Sequence, residues 1–292
     1  MTSKDWTVRG LDDFLKDDEP LVYQLSGDTP GHRVDLDALH ELFHEQSKYH
    51  RATSLGLSQN IRAHIEQPDL VGVCVNGRHG RGGQSVALPA PRALTGALEE
   101  ALAKRASTRR GDLGGQICCG DLSTLLHHSV RANREGRPKP RPDLKQYFRP
   151  YPSAGGLYPC EVYLAVSAVE GIAAGIYRYD AIRHDLVLCR STLCDGGAGA
   201  YASVETGQEA TAPPCAIILT AVFERAVRKY GPRGYRLALI EAGHIMQNLS
   251  LVATSLSLGS LVSASFYEAE LEALIGVDGV SEAVLAAVLI GR

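Results

Sequence analysis

The sequence predicts an α+β fold, and three stretches carry that expectation. Cys215-Ala216-Ile217-Ile218-Leu219-Thr220-Ala221-Val222-Phe223 is a continuous apolar run, the pattern of a central strand buried on both faces. Gly175–Asp180 and Asp185–Arg190 read as short strands, with Ala181 to His184 closing a hairpin between them. Tyr235, Leu239, Ala242, Met246, Leu249, Ala253 and Leu256 alternate spacings of four and three, a helical stripe held for about seven turns. Ile240, Gly243 and Val252 widen that face, so the helix is expected to be buried on more than one side, in a core or at a subunit interface.

Composition bounds the class. A chain of 292 residues with 45% hydrophobic content can bury one large core or two small ones. A net charge of -3 gives no global pull toward nucleic acid. The start, Met1-Thr2-Ser3-Lys4-Asp5-Trp6, is polar, and no stretch has the length and apolarity of a membrane span. The seven cysteines include no CxxC pair, so reduced thiols in the cytoplasm are expected, without a zinc site or a disulfide framework.

Taken in order, residues 1–33 are acidic and irregular. A helix is expected over Asp35 to Lys48, with Leu36, Leu39, Leu42 and Phe43 on one face, and Asn60 to Ile65 also reads as helical. Val71–Val75 reads as a strand, Gly77–Gly83 as a flexible hairpin tip, and Val86–Pro91 as extended, because each proline disfavours helix before it. Leu94, Leu98 and Leu102, spaced by four, predict a helix from Arg92 to Lys104. Asp121 reads as the N-cap of the next helix. Residues 131–149, basic and proline-rich, read as a linker, though their charge would also suit an acidic peptide. Glu161–Val166 is a strand with Val162, Leu164 and Val166 on one face. Residues 196–208 read as a helix start or a loop. Gly259 is placed as the C-cap of the long helix, followed by a strand and turn over Ser260–Phe266. A short helix over Glu268–Ile275 and a final strand over Ala283–Ile290 complete the chain.

Two segments stand out chemically. Pro152-Ser153-Ala154-Gly155-Gly156-Leu157-Tyr158-Pro159 brackets a small-residue core with prolines, a shaped turn at a strand entrance. Such a turn lets the backbone approach a flat or charged ligand closely, and it is equally the pattern of a tight surface turn. In Arg105-x-Ser107-x-Arg109 alternation puts two guanidiniums and a hydroxyl on one side of an extended segment, which suits a phosphate. A solvated basic turn has the same pattern. Ser153 with His244 would be the pieces of a hydrolase, but there is no GxSxG elbow, and His244 is expected to be a satisfied core histidine. Arg233 and Arg236 are expected to pair with Glu241 or to reach a substrate.

In this order the motifs resemble the FMN-dependent nitroreductase fold, and within it the SagB-type dehydrogenases that oxidise azolines in azole-modified peptides. The likeness rests on Arg105-x-Ser107-x-Arg109, on the Pro152–Pro159 loop, on Lys229-Tyr230-Gly231-x-Arg233-x-Tyr235-Arg236 with Glu241-Ala242-Gly243-His244 and Asn248, and on Gly259-Ser260 with the turn that follows. It spans roughly residues 105–291 and is weaker at Phe43-His44-x-x-Ser47-Lys48 and Leu88-Pro89-x-Pro91. It implies a central, mostly antiparallel sheet flanked by helices, with the long helix at a homodimer interface and FMN sites built from both chains. Residues 96–292 would be the FMN-binding domain, and 1–95 an extension that docks a partner or a leader peptide. Carried over residue by residue, it implies FMN contacts from Arg105, Ser107, Arg109, Pro152, Ser153, Ala154, Gly155, Gly156, Gly259, Ser260, Ser263 and Ala264. Arg292 stands in for a basic C-terminal phosphate ligand. Lys229 and Tyr230 are implied as the acid–base pair.

Azoline oxidation removes a proton from Cα and passes a hydride to flavin N5, and the ring becomes aromatic. The substrate would be a modified precursor peptide, and the partner an ATP-dependent cyclodehydratase. Neutral lysine is a competent base where burial lowers its pKa, and a neighbouring tyrosine can relay the proton. From the residues alone, Lys229 is also an ordinary surface charge and Tyr230 a packing residue. Two other functions stay open at this stage: an NAD(P)H-dependent nitro or quinone reductase, and a flavin-binding scaffold without turnover.

Overall fold

A computed structural model describes residues 43–44, 46–48, 54–66, 83–137, 145–191 and 213–292. In chain order these form α1 (Ser54–Glu66), β1 (Ser85–Ala87), α2 (Leu98–Lys104), α3 (Cys119–Val130), β2 (Arg134–Gly136) and β3 (Gln146–Phe148). There follow β4 (Cys160–Val166), β5 (Gly175–Asp180), β6 (Asp185–Arg190), β7 (Cys215–Val222), α4 (Glu224–Tyr230), α5 (Arg233–Ser255), β8 (Gly259–Ser263), α6 (Glu268–Ile275) and β9 (Glu282–Gly291). Phe43–Arg292 packs as one unit. The expectations for residues 1–33, 71–75 and 196–208, for most of 35–48 and for most of the Gly77–Gly83 tip lie outside the described residues.

Seven strands form one sheet in the order β1-β6-β5-β4-β7-β9-β8, with every pairing antiparallel. The α+β fold with a central antiparallel sheet flanked by helices is therefore as expected. The continuous apolar run is β7, flanked by β4 and β9 and buried along nearly all its length. Period-two alternation divides β4 between two cores. Val162, Leu164 and Val166 meet Leu122, Leu125 and Leu126 of α3 and Ile245 and Leu249 of α5. Tyr163 and Ala165 meet Leu271, Leu274 and Ile275 of α6.

Several elements differ from expectation. The helix forecast from Arg92 starts at Leu98, and Ala97 is extended at φ -69°, ψ 148°. Gly96 is a poor helix residue, and Arg92 is committed elsewhere. Its amide donates to Thr124 Oγ1 at 3.0 Å, its carbonyl contacts His128 Nε2 at 2.9 Å, and its guanidinium pairs with Asp121. Asp121 is not an N-cap: Cys118 occupies that position, and the Asp121 carboxylate binds Arg92 and Arg292 instead. The linker forecast over 131–149 contains a two-stranded ribbon, β2 on β3, where Gly136 lies against the Phe148 ring.

Helix α5 ends in a Schellman motif closed by Ser257, not Gly259. Ser257 takes φ 56°, its amide donates to Thr254 O at 3.1 Å, and Leu258 N donates to Ala253 O at 2.9 Å. Gly259 instead opens β8. The apolar stripe of α5 is also rotated at its start. The line facing inward runs through Gly234, Ala238, Ala242, Ile245, Leu249 and Ala253, while Tyr235 and Leu239 are 39% and 42% exposed. The cause is close approach: a Cβ on Gly234 would lie 2.5 Å from Val227 N, so α4 leaves room there only for hydrogen. Tyr235 packs outward between the rings of Phe43 and Phe223.

Candidate active site

The small-residue turn forms a single 3-10 turn, Ala154–Gly156, with Gly155 at φ 63° and Gly156 at φ 65°. Ser153 Oγ closes it by accepting from Tyr158 N at 2.9 Å. Pro152 and Gly155 are exposed, so the turn presents its backbone outward. On one flank its neighbours come from α4. A Cβ on Gly155 would lie 2.5 Å from Tyr230 Oη and 2.6 Å from Lys229 Nζ. Both side-chain tips therefore converge on the bare α-carbon of Gly155. Lys229 Nζ also stands 5.3 Å from the centre of the Tyr230 ring. On the other flank Gln146 Nε2 donates to Gly156 O at 3.3 Å.

Beneath the turn lies a buried polar layer, of which the sequence singles out Glu241 alone. Arg149 Nη1 donates to Tyr151 Oη at 2.8 Å and to Cys160 O at 3.2 Å. Cys160 N donates to Glu241 Oε1 at 3.1 Å. Arg225 donates from Nη1 to Tyr158 O at 3.0 Å and from Nη2 to Glu161 Oε1 at 2.5 Å. Burial alone would raise the Glu161 pKa, yet Arg225 and Arg149 outweigh it and hold the carboxyl below the usual range. Glu241 shifts the other way. Burial raises its pKa against the opposing pull of the Ser153 hydroxyl, Arg149 and the Cys160 amide. Glu241 thus faces inward and does not pair with Arg236, whose guanidinium donates to Ser47 Oγ at 3.1 Å. His244 is not the satisfied core histidine expected: its buried Nδ1 has no hydrogen-bond partner among the described residues.

The arginine segment lies elsewhere. Thr108 N donates to Ser260 O at 2.9 Å, and Ser260 N donates to Thr108 Oγ1 at 3.1 Å. Thr108 also packs on Gly259, so alternation turns Arg105, Ser107 and Arg109 to the opposite, exposed side. Three donor side chains free of apolar cover on one extended segment fit a phosphate. Arg292 is near this end: its amide donates to Gly114 O at 3.0 Å, and its guanidinium binds Asp121 Oδ2 at 2.8 Å. Ser263, whose Oγ accepts from Ser265 N at 3.2 Å, ends β8, and Ala264 comes after it, away from the Ser260 end of the strand.

Strand register places the two groups at opposite ends of the sheet. Val166, Cys215, Ile290 and Ser260 form one row across the sheet, and Cys160, Ala221 and Ala283 form the row at the opposite end. Helix α5 starts beside Lys229 and Tyr230 and finishes just before Gly259, a run of 23 residues. At 1.5 Å per residue that is about 35 Å. Within one chain, then, Gly155 gathers with Lys229 and Tyr230, and Arg105–Arg109 gathers with Gly259 and Ser260. The two groups are not brought together.

The chain matches the family described as Nitroreductase family over residues 104–292. It belongs to that family. Membership makes it a nitroreductase-fold oxidoreductase enzyme. A Methanocaldococcus jannaschii protein carrying the name nitroreductase, MJ1384, is 33% identical over 183 residues, covering 62% of this chain and 84% of that protein. The Microcin B17-processing protein McbC of Escherichia coli is 33% identical over 141 residues, 47% of this chain and 52% of McbC. The chain therefore matches about half of McbC, and it matches 39% of the Trifolitoxin-processing protein TfxB of Rhizobium leguminosarum, at 31% identity. Among solved structures, a nitroreductase-named protein of Ralstonia eutropha has TM-score 0.56 at 25% identity, covering 71% of this chain and 89% of that one. A chain of the Escherichia coli microcin synthetase McbBCD complex with truncated pro-MccB17 bound has TM-score 0.52 at 22% identity, covering 87% and 92%, which speaks for the fold. Among the described residues no helix is long and apolar enough to cross a membrane, and no His, Cys, Asp and Glu cluster has the makings of a metal site.

Proposed function

We propose that this nitroreductase-family protein is an FMN-dependent dehydrogenase that oxidises azolines to azoles in a ribosomally made, modified peptide. One observation carries the proposal: Lys229 Nζ and Tyr230 Oη converge on the bare α-carbon of Gly155. A turn lined by backbone and flanked by a base and a phenol suits a flat ring on which a proton must leave a neighbouring substrate. The likeness to two proteins named for processing microcin B17 and trifolitoxin favours a peptide substrate over a free nitro or quinone compound.

The glycines of the turn fit the isoalloxazine face, and Arg105, Ser107 and Arg109 fit its phosphate tail. FMN, when bound, supplies the two-electron acceptor. Lys229 takes the Cα proton, and Tyr230 orients Lys229 and passes the proton on. Gly259, Ser260, Ser263, Ala264 and Arg292 complete the cofactor contacts. Because the groups of Gly155 and Arg105 gather at opposite ends of the sheet in one chain, one FMN would be shared by two copies, the arginines of one facing the turn of the other. The outward Tyr235, Leu239 and Ile240 of α5 give the two copies an apolar meeting surface. An ATP-dependent cyclodehydratase is the partner that would make the azoline, and residues 1–95 are the candidate docking segment for it or for the leader.

The test is Lys229→Ala assayed with an azoline peptide and with the visible flavin spectrum. The expected result is bound FMN without azole formation. Full azole formation by that variant would reject the assignment of the base.

A further inference from the structure

We infer that Arg225 is a positioning residue, a fork that fixes the helix carrying Lys229 and Tyr230 onto the glycine turn. The inference rests on reading those two residues as the acid–base pair. Helix α4 has only seven residues, no side-chain N-cap, and Phe223 in helical geometry at its N-cap position. An isolated helix of that length is unstable in water, so tertiary contacts must define where it lies. Arg225 supplies contacts that reach the site. It is 4% exposed and lies one helical turn before Lys229. Its two terminal nitrogens reach different groups on the turn's exit: the Tyr158 carbonyl at 3.0 Å and the Glu161 carboxylate at 2.5 Å.

Tyr158 is the residue whose amide closes the turn on Ser153, so the guanidinium holds the turn and the helix in one grip. The surrounding layer keeps the grip rigid. Arg149 holds the Cys160 carbonyl, and Glu241 holds the Cys160 amide, between Tyr158 and Glu161. A pair of this kind, buried to 5% on both side chains, is costly to desolvate and adds little net stability over an apolar pair. What it provides here is direction. The planar fork sets two bonds at a fixed angle, which a lysine ammonium cannot reproduce.

Two variants separate positioning from mere stability. Arg225→Lys keeps the charge opposite Glu161 and loses the fork. Arg225→Met with Glu161→Gln removes both members of the pair, so neither is left buried without the other, and Arg149 keeps its bonds to Tyr151 and the Cys160 carbonyl. Both should keep wild-type circular dichroism and bound FMN. Turnover of an azoline peptide should fall on the order of 10²-fold in kcat with KM within about threefold, as misplacement of about an ångström does. The rate of acylation of Lys229 by a lysine-selective reagent, read by peptide mass spectrometry without substrate or cofactor, should change severalfold. Wild-type kcat together with an unchanged Lys229 acylation rate in both variants would overturn the inference. Should the wild-type protein form no azole, the functional proposal falls, and the acylation rates alone decide the role of Arg225.

Discussion

Replacing Gly155 by alanine perturbs the site in two separable ways. The first is conformational: φ of 63° is a left-handed conformation, which costs an L-residue about 1–2 kcal/mol. The second is collision, since the new Cβ would stand 2.5 Å from Tyr230 Oη and 2.6 Å from Lys229 Nζ, closer than real methyl contacts. Gly276 isolates the first effect. It closes α6 at φ 80° with nothing within 4 Å of its would-be Cβ. Gly276→Ala should therefore cost about 1–2 kcal/mol, which for a chain of this size lowers Tm by roughly 2–8 °C, with full turnover. Gly155→Ala should cost at least as much. In addition it should lose most azoline oxidation, because Lys229 and Tyr230 must both retreat from the turn. The assays are thermal unfolding, FMN content and single-turnover azole formation on the three proteins. Equal Tm losses for the two variants together with wild-type turnover for Gly155→Ala would refute the reasoning.

Other expectations concern separate parts of the molecule. Arg105→Ala and Arg109→Ala should each weaken FMN binding about 10- to 100-fold, the size of one charge-assisted hydrogen bond to a phosphate, as read by fluorescence titration. Mixing a Lys229→Ala protein with an Arg105→Ala/Arg109→Ala protein should restore part of the activity, because a mixed dimer contains one intact site; no recovery would argue against sharing between copies. Glu241→Gln should leave Tm at pH 7–8 equal or higher. Its raised folded pKa means the ionised form is disfavoured there, and Gln can still accept from Cys160 N; the gain should vanish as pH falls below the carboxyl's unfolded value. His184, bonded through Nδ1 to Tyr179 and through Nε2 to Ser123, has its pKa lowered to about 4 by burial, then by Arg131 and His127. The unfolded chain therefore binds the extra proton first, so stability should be complete above pH 6.5 and fall as pH drops from there to about 4. Acid unfolding of His184→Asn should lack that limb.

The fold was legible where pattern and local chemistry agree. Helix α6 spans the forecast Glu268–Ile275, and β7 and the β5–β6 hairpin lie where their apolar runs place them. Forecasts failed where tertiary contacts overrode local preference. The Arg92 segment is held extended by α3, the crossing with α4 turns the large side chains of α5 outward, and Ser257 takes the left-handed position two residues before the available glycine. For the site, the spacing of the arginines and the glycine turn marked two ends of one molecule. It could not tell that they lie at opposite ends of the sheet, which depends on strand register. Arg225 and Glu161 gave no signal at all, since they are 64 residues apart and meet only once β4 and α4 are packed.

The most direct measurement is anaerobic visible absorption of the purified, FMN-loaded protein on addition of an azoline peptide. Stoichiometric bleaching of the flavin bands with formation of one azole per flavin is the predicted result, and it should be absent in Lys229→Ala. A protein that stays colourless in FMN titration, or whose bound flavin keeps its colour with every azoline peptide, would contradict the account.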